Sequence, residues 1–206
     1  MSSVEWIKTT YEQARQTPSD INEHLPTLFE LSKECQDIAE LGVRRLVSTW
    51  AFLNGLLENT SPVKNLHCVD LQPIPNADII VHNVGLNGIQ MKTYQEDSAK
   101  VILPPVDLLF IDTFHVYGHL KRELEHHHAS VRKYIVMHDT VVDGVHGEAV
   151  REKFNILDIW QKTGYPVEEL TKGLLQAIQE FLVAHPEWKI AKHYMNNNGL
   201  TILKRT

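Results

Sequence analysis

The chain has 206 residues, 43% of them apolar and 22% charged, which excludes a collagen-like repeat and a wholly disordered chain. Its net charge is −6 with 12 histidines counted as neutral, which excludes the basic footprint of a nucleic-acid binder and disfavours docking on an anionic membrane. No apolar run reaches the ~20 residues of a membrane span, the N-terminal MSSVEWIKTTYEQARQ lacks the apolar block of a signal peptide, and Cys35 and Cys68 make no disulfide framework, so a reducing cytoplasm is expected.

A single domain over 1–206 is expected. Val4, Ile7, Tyr11 and Ala14 recur at helical steps, which predicts a helix over Val4–Ala14. Thr17–Asp20 breaks the chain, and Leu25, Leu28, Phe29 and Leu31 mark a second helix with Pro26 in its first turn. These N-terminal helices (1–35) are expected to cover a sheet edge or a partner, and a homo-oligomer stays open.

Short apolar runs then alternate with helical stretches. Ile38–Leu41 reads as a strand, and Ser48–Glu58 as a helix that Ser48 can cap. Trp50 and Phe52 on it read as core. Leu66–Val69, Ile89–Tyr94, Val106–Ile111 and Tyr134–Met137 are further strands, with helices over Ala77–Leu86 and Gly118–Val131. This alternation predicts an α/β fold: a Rossmann-like, doubly wound, mostly parallel seven-stranded sheet. Residues 141–167 hold no clear strand and read as an insert over the site. Glu168–Ala184 reads as one helix, and Asn198-Gly199 between Trp188–Tyr194 and Leu200–Lys204 signals a C-terminal antiparallel hairpin.

The chemical signal lies at the strand ends. Glu40, Asp70, Asp112 and Asp139 each close a strand or follow it directly. In an open parallel sheet the ligand crevice lies outside the carboxyl ends, so four carboxylates are expected on one rim. Crowded like charges call for a cation or a hydroxyl-rich ligand. Each acid alone reads equally well as a cap or turn residue; the recurrence shifts the balance. Asp70, after the second strand, is placed to accept hydrogen bonds from ribose hydroxyls. Glu96-Asp97-Ser98 sits beside the base or ribose, or simply starts a helix. The loop Glu40–Ser48 holds one glycine, Gly42, where a dinucleotide fingerprint needs three. NAD and FAD are therefore disfavoured, and an adenosine-type ligand whose charged end is an amino acid is favoured.

Other polar residues read more blandly. His126-His127-His128 point in different directions on a helix and read as a solvated face. His146 and Glu148 are accounted for by loop polarity. Arg44 and Arg45 reach either an anionic carboxylate or solvent.

These residues carry a resemblance. Glu40-Leu41-Gly42 through Ser48-Thr49, the segment Val106–Asp112 followed by His115 and Tyr117, and Tyr134–Thr140 (YIVMHDT) resemble motifs of the class I S-adenosylmethionine-dependent methyltransferases. Within them, the chain is similar to the branch of cephalosporin-hydroxylase-like proteins and sugar O-methyltransferases. The resemblance covers 37–140 and the terminal hairpin. It implies that Glu40, Gly42 and Ser48 shape the pocket for the methionine end of S-adenosylmethionine and that Asp70 holds the ribose. By the same resemblance, Asp97 and Ser98 flank the adenine, and Asp112 contributes to the cofactor pocket. Asp112 and Asp139 match positions that hold Mg²⁺ or Mn²⁺ in metal-dependent members; His138 departs by standing where some members carry a second carboxylate, though imidazole and two carboxylates can still bind such an ion. His115 and His138 are candidate bases, and Arg44 a partner for the cofactor carboxylate. Leu46 and Val47 depart from the family, replacing small residues of the glycine loop; Thr113 and Phe114 depart as well.

The implied reaction is methylation of a hydroxyl on a small-molecule or carbohydrate acceptor. Two alternatives stay open: a non-catalytic scaffold on the same fold, and a metal-dependent hydroxylase-like enzyme using Asp112, His115 and His138.

Overall fold

The structure, a computed structural model, describes residues 1–206. Helix α1 (Ser3–Gln16) starts in a capping box, with Ser2 Oγ accepting from the Glu5 amide and Glu5 Oε2 from the Ser2 amide. A 3₁₀ turn (Asn22–His24) leads to α2 (Leu25–Lys33), which carries Pro26 in its first turn. Then follow β1 (Asp37–Leu41), α3 (Val47–Glu58), β2 (Lys64–Asp70), α4 (Ala77–Gly85), β3 (Ile89–Gln95) and β4 (Val106–Ile111). Helix α5 (Tyr117–His127) precedes β5 (Val131–His138). The insert holds α6 (Glu148–Arg151) and α7 (Ile156–Thr163); α8 (Val167–Thr171), α9 (Leu174–Ala184), β6 (Trp188–Tyr194) and β7 (Leu200–Arg205) complete the chain.

The seven strands form one sheet in the order β3-β2-β1-β4-β5-β7-β6. The first five pair in parallel, while β7 pairs antiparallel with β5 and β6. The expected doubly wound sheet and terminal hairpin are therefore present. Because side chains alternate along a strand, Ile38, Leu66, Leu108, Phe110 and Val136 face one layer, under α1–α4. Ala39, Leu41, Leu109, Ile111, Ile135 and Met137 face the other, against α5 and α9. The N-terminal helices bury Ile7, Tyr11, Leu25 and Leu28 in the first layer together with Leu53 and Leu56 of α3, and Trp50 and Phe52 are buried there too. They thicken one face of the sheet and reach the end of edge strand β6, where Thr27 Oγ1 donates to Tyr194 Oη at 3.2 Å. No helix is long and apolar enough to cross a membrane.

Three local expectations are corrected. Ser48 does not cap α3: that position is Leu46, in the left-handed region at φ 66°, and the Ser48 hydroxyl donates to Glu40 instead. The helix expected to run to Val131 stops at His127, followed by a 3₁₀ turn, because β5 needs Val131 extended against Val106. The helix expected over Glu168–Ala184 is broken in two at Gly173. There the backbone lies against the Asp143–Gly144 peptide, so that a Cβ at Gly173 would come within 2.4 Å of the Asp143 carbonyl oxygen.

Candidate active site

The ends of β1 to β4 open onto a cavity of about 870 Å³ whose wall includes Gly42, Asp70, Asp97, Ser98 and Asp112. That volume is in the range of small-molecule sites. Gly42, at φ 84°, carries the chain from β1 across the end of β4. A Cβ there would lie 1.9 Å from the Asp112 carbonyl oxygen, so only glycine allows the crossing. Asp70 holds the loop that follows: its Oδ2 accepts from the amides of Val43 (3.0 Å) and Arg44 (2.9 Å), and its Oδ1 from Gln72 (2.8 Å). The half-buried carboxylate still lines the cavity. Arg44 also lines it, with an exposed guanidinium 3.7 Å from Asp20.

Glu40 is not a rim residue. It lies on the α3 face of β1, in register with Cys68 and Phe110, and is fully buried. Its carboxyl accepts from Ser48 Oγ (2.5 Å) and Thr49 Oγ1 (2.7 Å), tying the strand to the first turn of α3. Burial pushes its pKa up to about 7, against the pull of those hydroxyls and the Cys68 thiol. Glu40 and Ser48 thus brace the loop from below.

At the far end of the wall, Asp97 Oδ1 accepts from the Ala99 amide at 3.0 Å, and its carboxylate pairs with Lys100 at 2.9 Å. Ser98 Oγ lies 3.1 Å from His119 Nε2, and His127 Nε2 meets the Ser98 carbonyl oxygen at 2.7 Å. The expected solvated histidine face is thereby corrected: His127 is buried and positions the loop after β3, because α5 packs closely enough to reach it. His119 also touches Tyr165 Oη (3.0 Å), which pins the insert to α5. His146 is exposed, whereas Glu148 lines the cavity.

Asp112 joins the cavity to a buried charge cluster. Its Oδ1 lies 3.2 Å from His115 Nε2 and 3.2 Å from His138 Nδ1. Asp139 Oδ2 lies 3.1 Å from His115 Nδ1 and 3.3 Å from His138 Nδ1. Asp143 Oδ2 and Glu148 Oε2 approach His115 Nδ1 at 3.5 and 3.7 Å. The second nitrogen of His138 faces the carbonyls of Asp20 (3.1 Å) and Asn197 (3.2 Å). Both rings therefore see only acceptors on either side. Burial opposes their charge, but hydrogen bonding to Asp112 and the surrounding carboxylates outweigh it, raising His115 to about 9 and His138 to about 11. The same contacts overcome burial at Asp112 and Asp139 and hold both below the usual carboxylate range. Asp139 sits at φ 56°, a left-handed conformation costly for a non-glycine residue and typical of functional sites.

The donor chemistry fits a divalent cation. Asp112, His138 and Asp139 offer donor atoms all within 4.8 Å of one another, and Asp139 Oδ1 is buried with no hydrogen-bond partner. Backbone carbonyls on His138 Nε2 fix its ring with Nδ1 toward the carboxylates, the usual support for a metal-ligating histidine. Such a cation must displace the proton on His138 Nδ1. Of the hydroxylase-like set, Asp112 touches both His115 and His138, but the donor atoms converge as Asp112–His138–Asp139 and as His115–Asp139–Asp143.

Sequence reasoning missed Asp143, fully buried and bridged by Arg151 at 2.7 and 2.9 Å, and the trio His119, Arg122 and Tyr165. Asp139 and Asp143 were separable only by the turn that follows β5, where the Asp143 amide donates to the Asp139 carbonyl.

No protein-family model matches the chain, and no curated protein matches it by sequence. Solved structures do. The SAH complex of an O-methyltransferase from Bacillus cereus is 16% identical with a TM-score of 0.56, the match covering 99% of this chain and 90% of the other. The O-methyltransferase TomG from Streptomyces achromogenes, solved with SAM, is 14% identical with a TM-score of 0.55, covering 97% and 89%. SAH-bound methyltransferase PaMTH1 from Podospora anserina is 15% identical with a TM-score of 0.53, covering 99% and 86%. The chain has the class I methyltransferase fold. In this methyltransferase fold the cavity lies outside the carboxyl ends of the parallel strands, where open α/β sheets place their ligands. Its wall carries charges of both signs, with Asp70, Asp97, Asp112 and Glu148 among the acids and Arg44, Lys100, Arg122 and Lys162 as the bases.

Proposed function

We propose that the chain is an S-adenosylmethionine-dependent O-methyltransferase acting on a hydroxyl of a small-molecule or sugar acceptor, assisted by a divalent cation. The observation that carries the proposal is the double position of Asp112, which lines the cavity and also touches both His115 and His138. Cofactor binding and proton handling thereby meet at one carboxylate.

Bound S-adenosylmethionine supplies a methyl group on a sulfonium, open to in-line displacement. Asp70 binds the ribose with its remaining acceptor capacity, and Asp97 and Ser98 flank the base. Gly42, braced by Glu40 and Ser48 below, lets the backbone follow the ligand, and Arg44 meets the carboxylate end. Alignment of the acceptor oxygen with the methyl, and exclusion of water by the insert, supply the entropic part of catalysis.

An alcohol attacks poorly while it keeps its proton. Asp112, His138 and Asp139 would hold a Mn²⁺- or Mg²⁺-type ion, which would supply Lewis acidity to ease loss of that proton. His115 takes the proton in its deprotonated form, and Asp112, Asp139 and Glu148 stabilise the imidazolium that results. The cavity's charges of both signs and its Ser98, Thr163 and Tyr165 hydroxyls suit a polar, hydroxyl-bearing acceptor.

Calorimetry with S-adenosylhomocysteine tests the reading: saturable binding is expected at micromolar ligand. Absence of heat up to millimolar ligand would return the chain to the scaffold reading.

A further inference from the structure

A second cluster of metal-type donors lies where α5 ends against α9. His128 follows α5, and His185 closes α9. Their ring centroids are 4.0 Å apart, and both rings pack on Phe181, at 5.5 and 4.7 Å. Glu125 Oε1 lies 3.6 Å from His185 Nε2. One donor atom from each of Glu125, His128 and His185 falls within 4.8 Å of the other two.

Two features distinguish this group from an ordinary surface contact. His128 Nδ1 is buried and has no hydrogen-bond partner. On its other side, His185 presents Nδ1 to Glu187 Oε1 at 3.8 Å, and Arg205 Nη2 holds that carboxylate at 4.0 Å. At 3.8 Å, Glu187 places a negative charge beside the second ring nitrogen without a hydrogen bond to it.

We propose that Glu125, His128 and His185 bind a transition-metal ion of the zinc class. Two imidazoles and one carboxylate suit Zn²⁺, Co²⁺ or Ni²⁺, whereas Mg²⁺ and Ca²⁺ prefer all-oxygen shells. The ion ties the end of α5 to the turn between α9 and β6. It fixes these elements from the side where β5 and β6 begin, and only Glu125 also belongs to the cavity wall. The site does not depend on methyl transfer.

The test uses the full chain freed of metal by a chelator. Zn²⁺ is titrated in competition with a chromophoric chelator, and crystals soaked in Zn²⁺ are measured at the zinc absorption edge. An anomalous peak is expected between His128 and His185, ~2.0–2.2 Å from a nitrogen of each. H185Q should weaken Zn²⁺ binding at this site by about tenfold or more and remove its contribution to the Zn²⁺-induced rise in Tm. The Asp139→Asn variant should keep both, which separates this site from the Asp112–His138–Asp139 group. S-adenosylhomocysteine affinity should be the same in H185Q and wild type. No peak between the two histidines, or H185Q titrating like wild type, overturns the proposal.

Discussion

His138 Nδ1 stands 3.2 Å from Asp112 Oδ1, and its opposite nitrogen is held between two backbone carbonyls. The carbonyls come from Asp20, before α2, and Asn197, in the β6–β7 turn. Two distant ends of the chain therefore orient one ring toward the carboxylate that lines the cavity. Removal of Asp139, the other carboxylate on that nitrogen, should separate chemistry from binding. We expect Asp139→Asn to lower kcat by roughly 10²-fold or more while S-adenosylhomocysteine affinity changes little. EDTA should mimic it, and Mn²⁺ should restore turnover better than Mg²⁺, because His138 brings a nitrogen donor. Full turnover in EDTA would remove the metal from the mechanism.

His115 gives the pH dependence its sign. Its carboxylate neighbours keep it protonated up to about pH 9, so the base is the minor form at neutrality. The rate should rise about tenfold per pH unit below that value and level off above it. Added divalent cation, a nearby positive charge, should move the limb to lower pH. His115→Gln should abolish the limb and cost ~10²–10⁴-fold in kcat. A pH–rate profile of His115→Gln that still shows the wild-type limb would assign it to another group.

Glu40 should show itself in stability. Its pKa is about 7 in the folded protein, raised by burial, against an ordinary 4.5. The folded state thus binds this proton more tightly than the unfolded chain. The resulting stabilisation is fully present below about pH 4.5 and is lost as pH rises through about 7. The loss is on the order of 3 kcal/mol at 1.36 kcal/mol per unit. Urea unfolding across this range should show the decline in wild type and a flatter profile in Glu40→Gln; parallel profiles would contradict it.

Gly42→Ala should be poorly tolerated. The new methyl meets the Asp112 carbonyl oxygen, and the backbone sits at φ 84°. Strain of this kind costs ~1–3 kcal/mol before any clash is relieved, so a loss of at least ~2 kcal/mol is expected in urea unfolding. S-adenosylhomocysteine binding should weaken with it, since the loop and Asp112 move together. Wild-type stability and affinity would show that the crossing is looser than the geometry indicates.

The departures at Leu46 and Val47 bear on the scaffold alternative. Leu46 takes a left-handed conformation that the resemblance would give to a small residue, and it buries its side chain in the core layer beside Trp50 and Leu53. Apolar burial offsets the backbone cost there, so the loop keeps its turn without a second glycine.

The order of the elements is legible along the chain. Val106–Ile111 and Ile38–Leu41 are apolar runs because strands of a covered parallel sheet lie buried on both faces, and that demand is written locally. Asp70 and Asp112 are legible in the same way, because a chain leaving such a strand meets the crevice at once, whereas Asp139, expected on the same rim, is buried behind the cavity wall. The three-dimensional packing is what puts Glu40 beneath the loop, since its face of β1 depends on the neighbouring strands. It alone gave His115 and His138 their charge. Their ring nitrogens meet acceptors from residues 20, 112, 139, 143, 148 and 197, and a protonation state follows from distances across space, which spacing along a chain does not encode.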